Sequence, residues 1–179
     1  MLMQEIVWII GTSSAGKQTF ITKACTDKDL AGKFGWQDKT VAVCKESVDY
    51  PGDISMPEIV QIREQIPTIV QKLADTSDVI LIKWQYIDSY RKSPQKLKKL
   101  LPEANHRIIL LVAPSEELEA RLNNKDWWHG SWKNAAELVT AELKMIDKFV
   151  AELRSDFEIT TVESGKNEGY KVTEPTFPL

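Results

Sequence analysis

A short apolar run followed at once by a glycine-rich segment places the strongest constraint on the fold of this chain. The stretch from Ile6 to Ile10 is uninterrupted and apolar, which is typical of a strand buried on both faces. Gly11 ends it, and after four small residues Gly16 and Lys17 open a segment with helical spacing. Parallel sheets are built from units of strand, turn and helix in direct succession. The N-terminal segment therefore predicts an α/β fold.

The spacing Gly-x-x-x-x-Gly-Lys over 11–17 also indicates a loop that binds phosphate. Glycines let the backbone curl so that successive N–H groups point inward, and the N-terminus of the next helix adds a favourable potential for anions. Lys17 would reach the β- and γ-phosphates of a nucleoside triphosphate, which makes it the first candidate catalytic residue. The alternative is a turn before a helix with an incidental lysine. The predicted nucleotide-binding residues are Gly11, Thr12, Ser13, Ser14, Ala15, Gly16, Lys17, Gln18 and Thr19.

The composition is that of an ordinary globular protein and argues against several functional classes. The 179 residues are 42% hydrophobic and 27% charged, which suits one domain with a sizeable core. With 23 basic against 26 acidic residues, the chain as a whole is not a polycation built for nucleic acid. Cys25 and Cys44 lie in apolar segments, and a disulfide framework is not expected. No apolar run is long enough to span a bilayer, so we expect a cytoplasmic location without a membrane partner.

Predicted strands and helices continue to alternate along the chain. Further strands are predicted at 41–44, 79–82, 108–112 and 158–162, and helices at about 17–25, 56–75, 94–101, 115–122 and 135–153. Pro67 predicts a kink or two consecutive helices over 56–75. Glu142 falls within the apolar stripe of the last helix. We expect a single domain over 1–179 with an irregular tail from about 164.

The phosphate loop and the segment from His106 to Leu122 resemble the P-loop kinases of nucleotides, nucleosides and small metabolites. The resemblance covers most of the chain and implies a three-layer P-loop NTPase fold. Its sheet would have five mainly parallel strands in the order 2-3-1-4-5, with helices on both faces. It also implies ATP and Mg²⁺ as cofactors. Thr19 becomes the candidate metal ligand, because Lys-x-Thr is the arrangement found in adenylate kinases and Gln18 stands where Ser or Thr usually binds magnesium.

The same resemblance assigns roles to residues around the phosphate loop. Arg121 matches an arginine that precedes a mobile lid, here about 123–133, and packs near the adenine or the phosphates. Glu46 and Asp49 follow the second strand, where such kinases keep the carboxylate that takes the acceptor proton. Arg63 lies where an arginine binds the acceptor. The alternatives are solvated turn acids and an arginine on a solvated helix face.

Three further candidates for substrate binding come from the residues themselves. Lys83 and Gln85 follow the third strand, where the family often has Asp-Arg or Glu-Arg, and this chain has neither pair. Lys83 would supply positive charge, and Gln85 would pair with a base edge or orient a water. Trp128 is one of three tryptophans in the predicted lid. These tryptophans either stack on a base or anchor the lid to the core.

Together these features predict an ATP-dependent phosphotransferase that moves the γ-phosphoryl group to a hydroxyl or phosphate of a nucleoside-like acceptor. The stretch 91–99 holds five basic residues and no acid, so the acceptor could also be a nucleotide within DNA or RNA. A solvated helix face is the alternative explanation of that stretch. A catalytically weak regulatory nucleotide-binding protein is the second hypothesis. A GTPase is the third, but in 124–126 the aspartate comes one residue too early for the guanine-reading motif.

Overall fold

One sheet organises the part of the chain that the computed structural model describes, residues 4–48, 55–84, 92–165 and 169–173. Its strand order is β2-β3-β1-β4-β5-β6, and the first five strands pair in parallel while β6 runs antiparallel to β5. The predicted order of five strands is confirmed, and a sixth strand extends the sheet. The strands are β1 (Glu5–Ile10), β2 (Val41–Val43), β3 (Val79–Lys83), β4 (Asn105–Val112), β5 (Glu158–Ser164) and β6 (Tyr170–Val172).

Helices connect the parallel strands, as the sequence pattern predicts. They are α1 (Lys17–Thr26), α2 (Lys28–Gly32), α3 (Met56–Glu64), α4 (Ile66–Ala74), α5 (Ser93–Leu100), α6 (Ser115–Leu122) and α7 (Ala135–Leu153). Pro67 lies in the first turn of α4, where its missing N–H costs no helical hydrogen bond, and the predicted helix over 56–75 is therefore two helices. The short α2 was not predicted. Asp27 caps it by accepting hydrogen bonds from the amides of Asp29 at 2.9 Å and Leu30 at 3.1 Å.

The central strand β1 is buried along its whole length, which explains why all of its residues after Glu5 are apolar. Alternate side chains enter opposite faces of the sheet: Val7 and Ile9 join one apolar cluster, whereas Trp8 and Ile10 join the other. β1 lies between β3 and β4, so its carboxyl end lies between the carboxyl ends of these two neighbouring strands. The phosphate loop begins at that point.

The tail after residue 164 is not wholly irregular, which corrects the expectation from sequence. Tyr170 and Val172 pack partly buried against the apolar cluster that includes α1, whereas Lys171 between them is exposed. The alternation spans only three residues, too few for a periodic pattern to indicate a strand.

Helix α7 contributes to both apolar clusters. Its first half supplies Leu138 and Val139 to the cluster that also contains α1 and α6, and its second half supplies Phe149 and Leu153 to the cluster on the other face. No helix in the described ranges combines the length and the apolar character that crossing a membrane requires.

Candidate functional site

The phosphate loop joins β1 to α1 through two glycines that the backbone geometry requires. At Gly11, with φ +152°, an added Cβ would lie 2.8 Å from the Leu111 carbonyl oxygen and 3.0 Å from the Ala15 Cβ. Gly16 caps the N-terminus of α1 in the left-handed conformation, with φ 85°. The loop also closes on itself, since the Ala15 amide donates to the Thr12 carbonyl oxygen at 3.2 Å. A compact loop at the N-terminus of a helix provides backbone donors for an anion.

Lys17 lies inside this loop, with only 6% of its surface exposed. Its Nζ donates hydrogen bonds to the carbonyl oxygens of Gly11 at 2.9 Å and Thr12 at 2.5 Å. The Lys17 pKa is lowered from 10.5 to about 7, mainly by burial and next by the positive charge of Lys83. Glu142 opposes this effect. The amine is therefore poised to gain a strong anionic partner.

Three hydroxyl groups of the loop are buried without a hydrogen-bond partner among the described residues. They are Thr12 Oγ1, Ser13 Oγ and Ser14 Oγ. Buried polar atoms are normally satisfied, and each unsatisfied one costs about 1–3 kcal/mol. A loop that keeps three unsatisfied hydroxyls beside a buried amine fits a ligand rich in acceptor oxygens, such as a polyphosphate.

Arg121 ties the phosphate loop to α6 and to the end of β5. Its guanidinium donates to the carbonyl oxygens of Ser14 at 3.1 Å and Ser164 at 3.2 Å, and it forms an ion pair with Glu117 one turn earlier on α6. Ser164 Oγ in turn donates to the Ala15 carbonyl oxygen at 3.3 Å. These contacts fix the guanidinium against the loop; its role at the adenine or the phosphates stays a prediction.

An open cleft of about 1130 Å³ lies over the loop. Gln18 and Thr19 are exposed and line it, and the role of Thr19 as a metal ligand stays a prediction. Within the described ranges, no cluster of three or more His, Cys, Asp or Glu side chains could hold a metal by itself. The cations that line the cleft come from several elements: Lys17, Lys23, Lys83, Arg121 and Lys125.

The predicted acceptor residues lie at different distances from this cleft. Lys83, at the end of β3, lines it. Glu46 is half-buried in the turn after β2 and lies 3.8 Å from Cys44 Sγ. Burial, followed by the Glu46 charge, raises the Cys44 pKa to about 12. The predictions for Asp49 and Gln85 fall outside the described residues.

Arg63 links two strand ends. It is buried and donates to the carbonyl oxygens of Lys83 at 3.0 Å and Ser47 at 3.2 Å, so it joins the end of β3 to the turn after β2. Both of these hydrogen bonds go to backbone atoms, and the predicted contact of Arg63 with an acceptor stays a prediction.

Trp128 lies within the predicted lid and packs into the core. It is 6% exposed, belongs to the apolar cluster with α1 and α6, and donates from Nε1 to the Leu122 carbonyl oxygen at 2.9 Å. Trp127 and Trp132 are 58% and 37% exposed. In this conformation Trp128 anchors the lid, and its exposed neighbours are the tryptophans that ligands can reach.

Several residues at the site were missed from sequence, among them Tyr170 and Glu142. Tyr170 lines the cleft from β6, with Lys23 Nζ 5.6 Å from its ring centroid. Glu142 accepts a hydrogen bond from the Ser13 amide in the phosphate loop. An acid within the apolar stripe of α7 was the signal that could have identified Glu142.

The geometry matches known folds, although the sequence matches no protein-family model and no curated protein. A shikimate kinase from Acinetobacter baumannii in complex with shikimate aligns at 15% identity over 92% of this chain and 86% of its own, with a TM-score of 0.53. An AvrRxo1-ORF1:AvrRxo1-ORF2 structure with sulphate ions aligns at 9% identity over 98% of this chain and 59% of its own, with a TM-score of 0.50. The Mycobacterium tuberculosis APS kinase CysC in complex with AMPPNP and APS has 14% identity, coverage of 100% and 89%, and a TM-score of 0.48.

The sheet order, the loop after β1 and its buried lysine together define a P-loop nucleotide-binding fold. Within that class, the chain has the fold of the P-loop kinases of small metabolites.

Proposed function

We propose that the chain is an ATP-dependent phosphotransferase with a small-molecule acceptor. The observation that carries the proposal is the phosphate loop, which contains the buried Lys17 amine and three unsatisfied hydroxyls and lies beneath a cleft lined by further cations. Phosphoryl transfer depends mainly on positioning and on neutralising the charge of the transferred group, and such a loop can supply both. The similarity to kinase folds supports the same reaction class.

On the donor side, Lys17 would exchange its two carbonyl partners for oxygens of the β- and γ-phosphates. The phosphate charge would raise the Lys17 pKa from about 7, and the amine would then bind as the ammonium ion. Arg121 is already held beside Ser14 and needs little reorganisation to meet the same phosphates. Thr19 would contact the Mg²⁺ of the nucleotide, which supplies charge neutralisation at the phosphate oxygens.

On the acceptor side, the proposal is a nucleoside-like molecule bound at the ends of β2 and β3. Lys83 is proposed to bind the acceptor there, and it lines the cleft. Glu46 and Asp49 remain the proposed bases. A nucleic-acid acceptor has less support. Lys98 donates to the Asp156 carbonyl oxygen just before β5 starts, at the sheet edge opposite the phosphate loop. None of the basic residues described within 92–99 lines the cleft over that loop.

The test is ADP release from ATP and Mg²⁺ by the wild-type protein and by Lys17→Met, with Lys28→Met as a control for an exposed lysine. Nucleosides, nucleotides, oligonucleotides and small alcohols are offered in turn as acceptors. We expect acceptor-dependent ADP release that Lys17→Met abolishes and Lys28→Met retains. Circular dichroism serves as the control that both variants are folded. The proposal would be contradicted if ADP release did not depend on an acceptor and were equally fast in the wild type and Lys17→Met.

A second candidate is a regulatory protein that binds nucleotide without turnover. It is favoured by Lys83, which ends β3 where the family often has an acid. Tight ATP binding together with no ADP release across the whole acceptor panel would support this candidate over the kinase.

A further inference from the structure

The phosphate loop already holds a carboxylate. The Ser13 amide lies 3.3 Å from Glu142 Oε1 and 3.2 Å from Glu142 Oε2, so the amide donates to both oxygens of the carboxylate. The two residues are 129 positions apart, and Glu142 reaches the loop from the middle of α7. An amide of a phosphate loop is a donor for anions, and here a side chain of the same molecule uses it.

The position of this contact corresponds to the γ-phosphate end of a bound nucleotide. Lys17, which reaches the β- and γ-phosphates in such loops, now donates to the carbonyl oxygens of Gly11 and Thr12, the two residues directly before Ser13. Glu142 is also the negative charge that raises the Lys17 pKa against the effect of burial. The carboxylate is therefore close to both the amine and the amide at this end of the loop.

Packing keeps Glu142 over the loop. Leu138 and Val139 precede it by about one turn, Ile146 follows it by one turn, and all three are buried in the apolar clusters. In the described part of the chain the carboxylate forms no ion pair that would draw it away. The helix is thus held in place by packing, and the carboxylate could leave the loop by rotation of its side chain.

We infer that Glu142 determines how strongly the site discriminates a nucleoside triphosphate from a diphosphate. The inference rests on the proposed function, because it requires nucleotide in the phosphate loop. A γ-phosphate would compete with the carboxylate for the Ser13 amide and would lie beside a like charge, whereas a diphosphate would leave the contact in place. Glu142 therefore opposes the binding of ATP far more than the binding of ADP.

The experiment compares the dissociation constants of ATP and ADP, each with Mg²⁺, for the wild type, Glu142→Gln and Asp147→Asn, by calorimetry. Glutamine keeps the shape of the side chain and an acceptor oxygen for Ser13, so it removes only the charge. Asp147→Asn removes an exposed charge from the same helix and is the matched control. We expect Glu142→Gln to tighten ATP binding about tenfold, or about 1.4 kcal/mol, and to change ADP binding less than twofold. Asp147→Asn should alter neither constant.

Three outcomes overturn the inference while leaving nucleotide binding intact: ATP affinity that does not change, a gain that is equal for ATP and ADP, and a loss of ATP affinity. The last would mean that the carboxylate helps to hold the Mg²⁺ nucleotide. If none of the three proteins binds ATP or ADP, the phosphate loop is not a nucleotide site, and the proposed function fails together with the inference.

Discussion

Replacing Lys17 by methionine should make the nucleotide-free protein more stable at pH 6 and less stable at pH 10. In the folded protein the Lys17 pKa is about 7, against 10.5 as its ordinary value, because the amine is buried. Below pH 7 the folded protein therefore has to hold a buried ammonium ion, which the unfolded chain exposes to water. This penalty declines as pH rises through the interval from 7 to 10.5, because the folded protein releases the proton first.

The size of the effect follows from the structure. At about 1.4 kcal/mol per pKa unit, the lowered pKa corresponds to a penalty of about 5 kcal/mol at pH 6 and about 1 kcal/mol at pH 10. Methionine also removes the hydrogen bonds to Gly11 and Thr12, at about 1.5 kcal/mol each and at both pH values. The variant should therefore be more stable than the wild type by about 2 kcal/mol at pH 6 and less stable by about 2 kcal/mol at pH 10.

Urea unfolding followed by tryptophan fluorescence at pH 6, 8 and 10 measures these differences. Other titrating groups are common to both proteins and cancel in the comparison. Lys28→Met, which alters an exposed lysine at the start of α2, is the control and should show no crossover. A stability difference between the wild type and Lys17→Met that stays constant from pH 6 to 10 would refute the lowered pKa.

Three further predictions concern the loop and the lid. Binding of ADP at pH 8 should take up about 0.9 proton, because phosphate restores the ammonium form of Lys17; calorimetry in buffers of different ionisation enthalpy measures this, and no uptake contradicts it. Gly11→Ala should lower the free energy of unfolding by more than about 2 kcal/mol, because the added Cβ would collide with the backbone. Gly16→Ala should lower it by only about 1 kcal/mol, which is the cost of backbone strain. Urea unfolding that gives the reverse order would contradict this prediction. Trp128→Ala should cost about 3–5 kcal/mol of stability and Trp127→Ala less than about 0.5 kcal/mol. Equal losses in thermal or urea unfolding would mean that Trp128 is not the anchor.

The sheet and the phosphate loop could be predicted because their signals are local. β1 is buried on both faces, and so its sequence is continuously apolar from Ile6 to Ile10. The glycines at 11 and 16 satisfy a backbone requirement that few residue types meet. Helix α2 and strand β6, with five and three residues, are too short for a periodic pattern to be visible.

The candidate site could be predicted only in part, because several contacts join distant segments or involve backbone atoms. The Glu142 contact with Ser13 bridges 129 positions, so the acid in the apolar stripe of α7 marks Glu142 as unusual without indicating its partner. Trp128 is held by a backbone carbonyl group, which every residue possesses, so the sequence could not decide between anchoring and stacking. Arg63 is likewise oriented by two carbonyl oxygens. The roles given to Asp49 and Gln85 stay predictions.

Helix α7 has a consequence for how the chain folds during synthesis. Leu138 and Val139 belong to one apolar cluster, and Phe149 and Leu153 belong to the other. Strand β5 then adds Val162 to the first cluster and Ile159 to the second, so both stay incomplete until α7 and β5 have been synthesised. The phosphate loop, although it lies near the amino end, gains its contacts with Glu142 and Ser164 only at that late stage. Contacts of such long sequence separation slow folding and leave apolar surface exposed meanwhile. A nascent chain halted before α7 should therefore bind chaperones and remain unable to bind nucleotide.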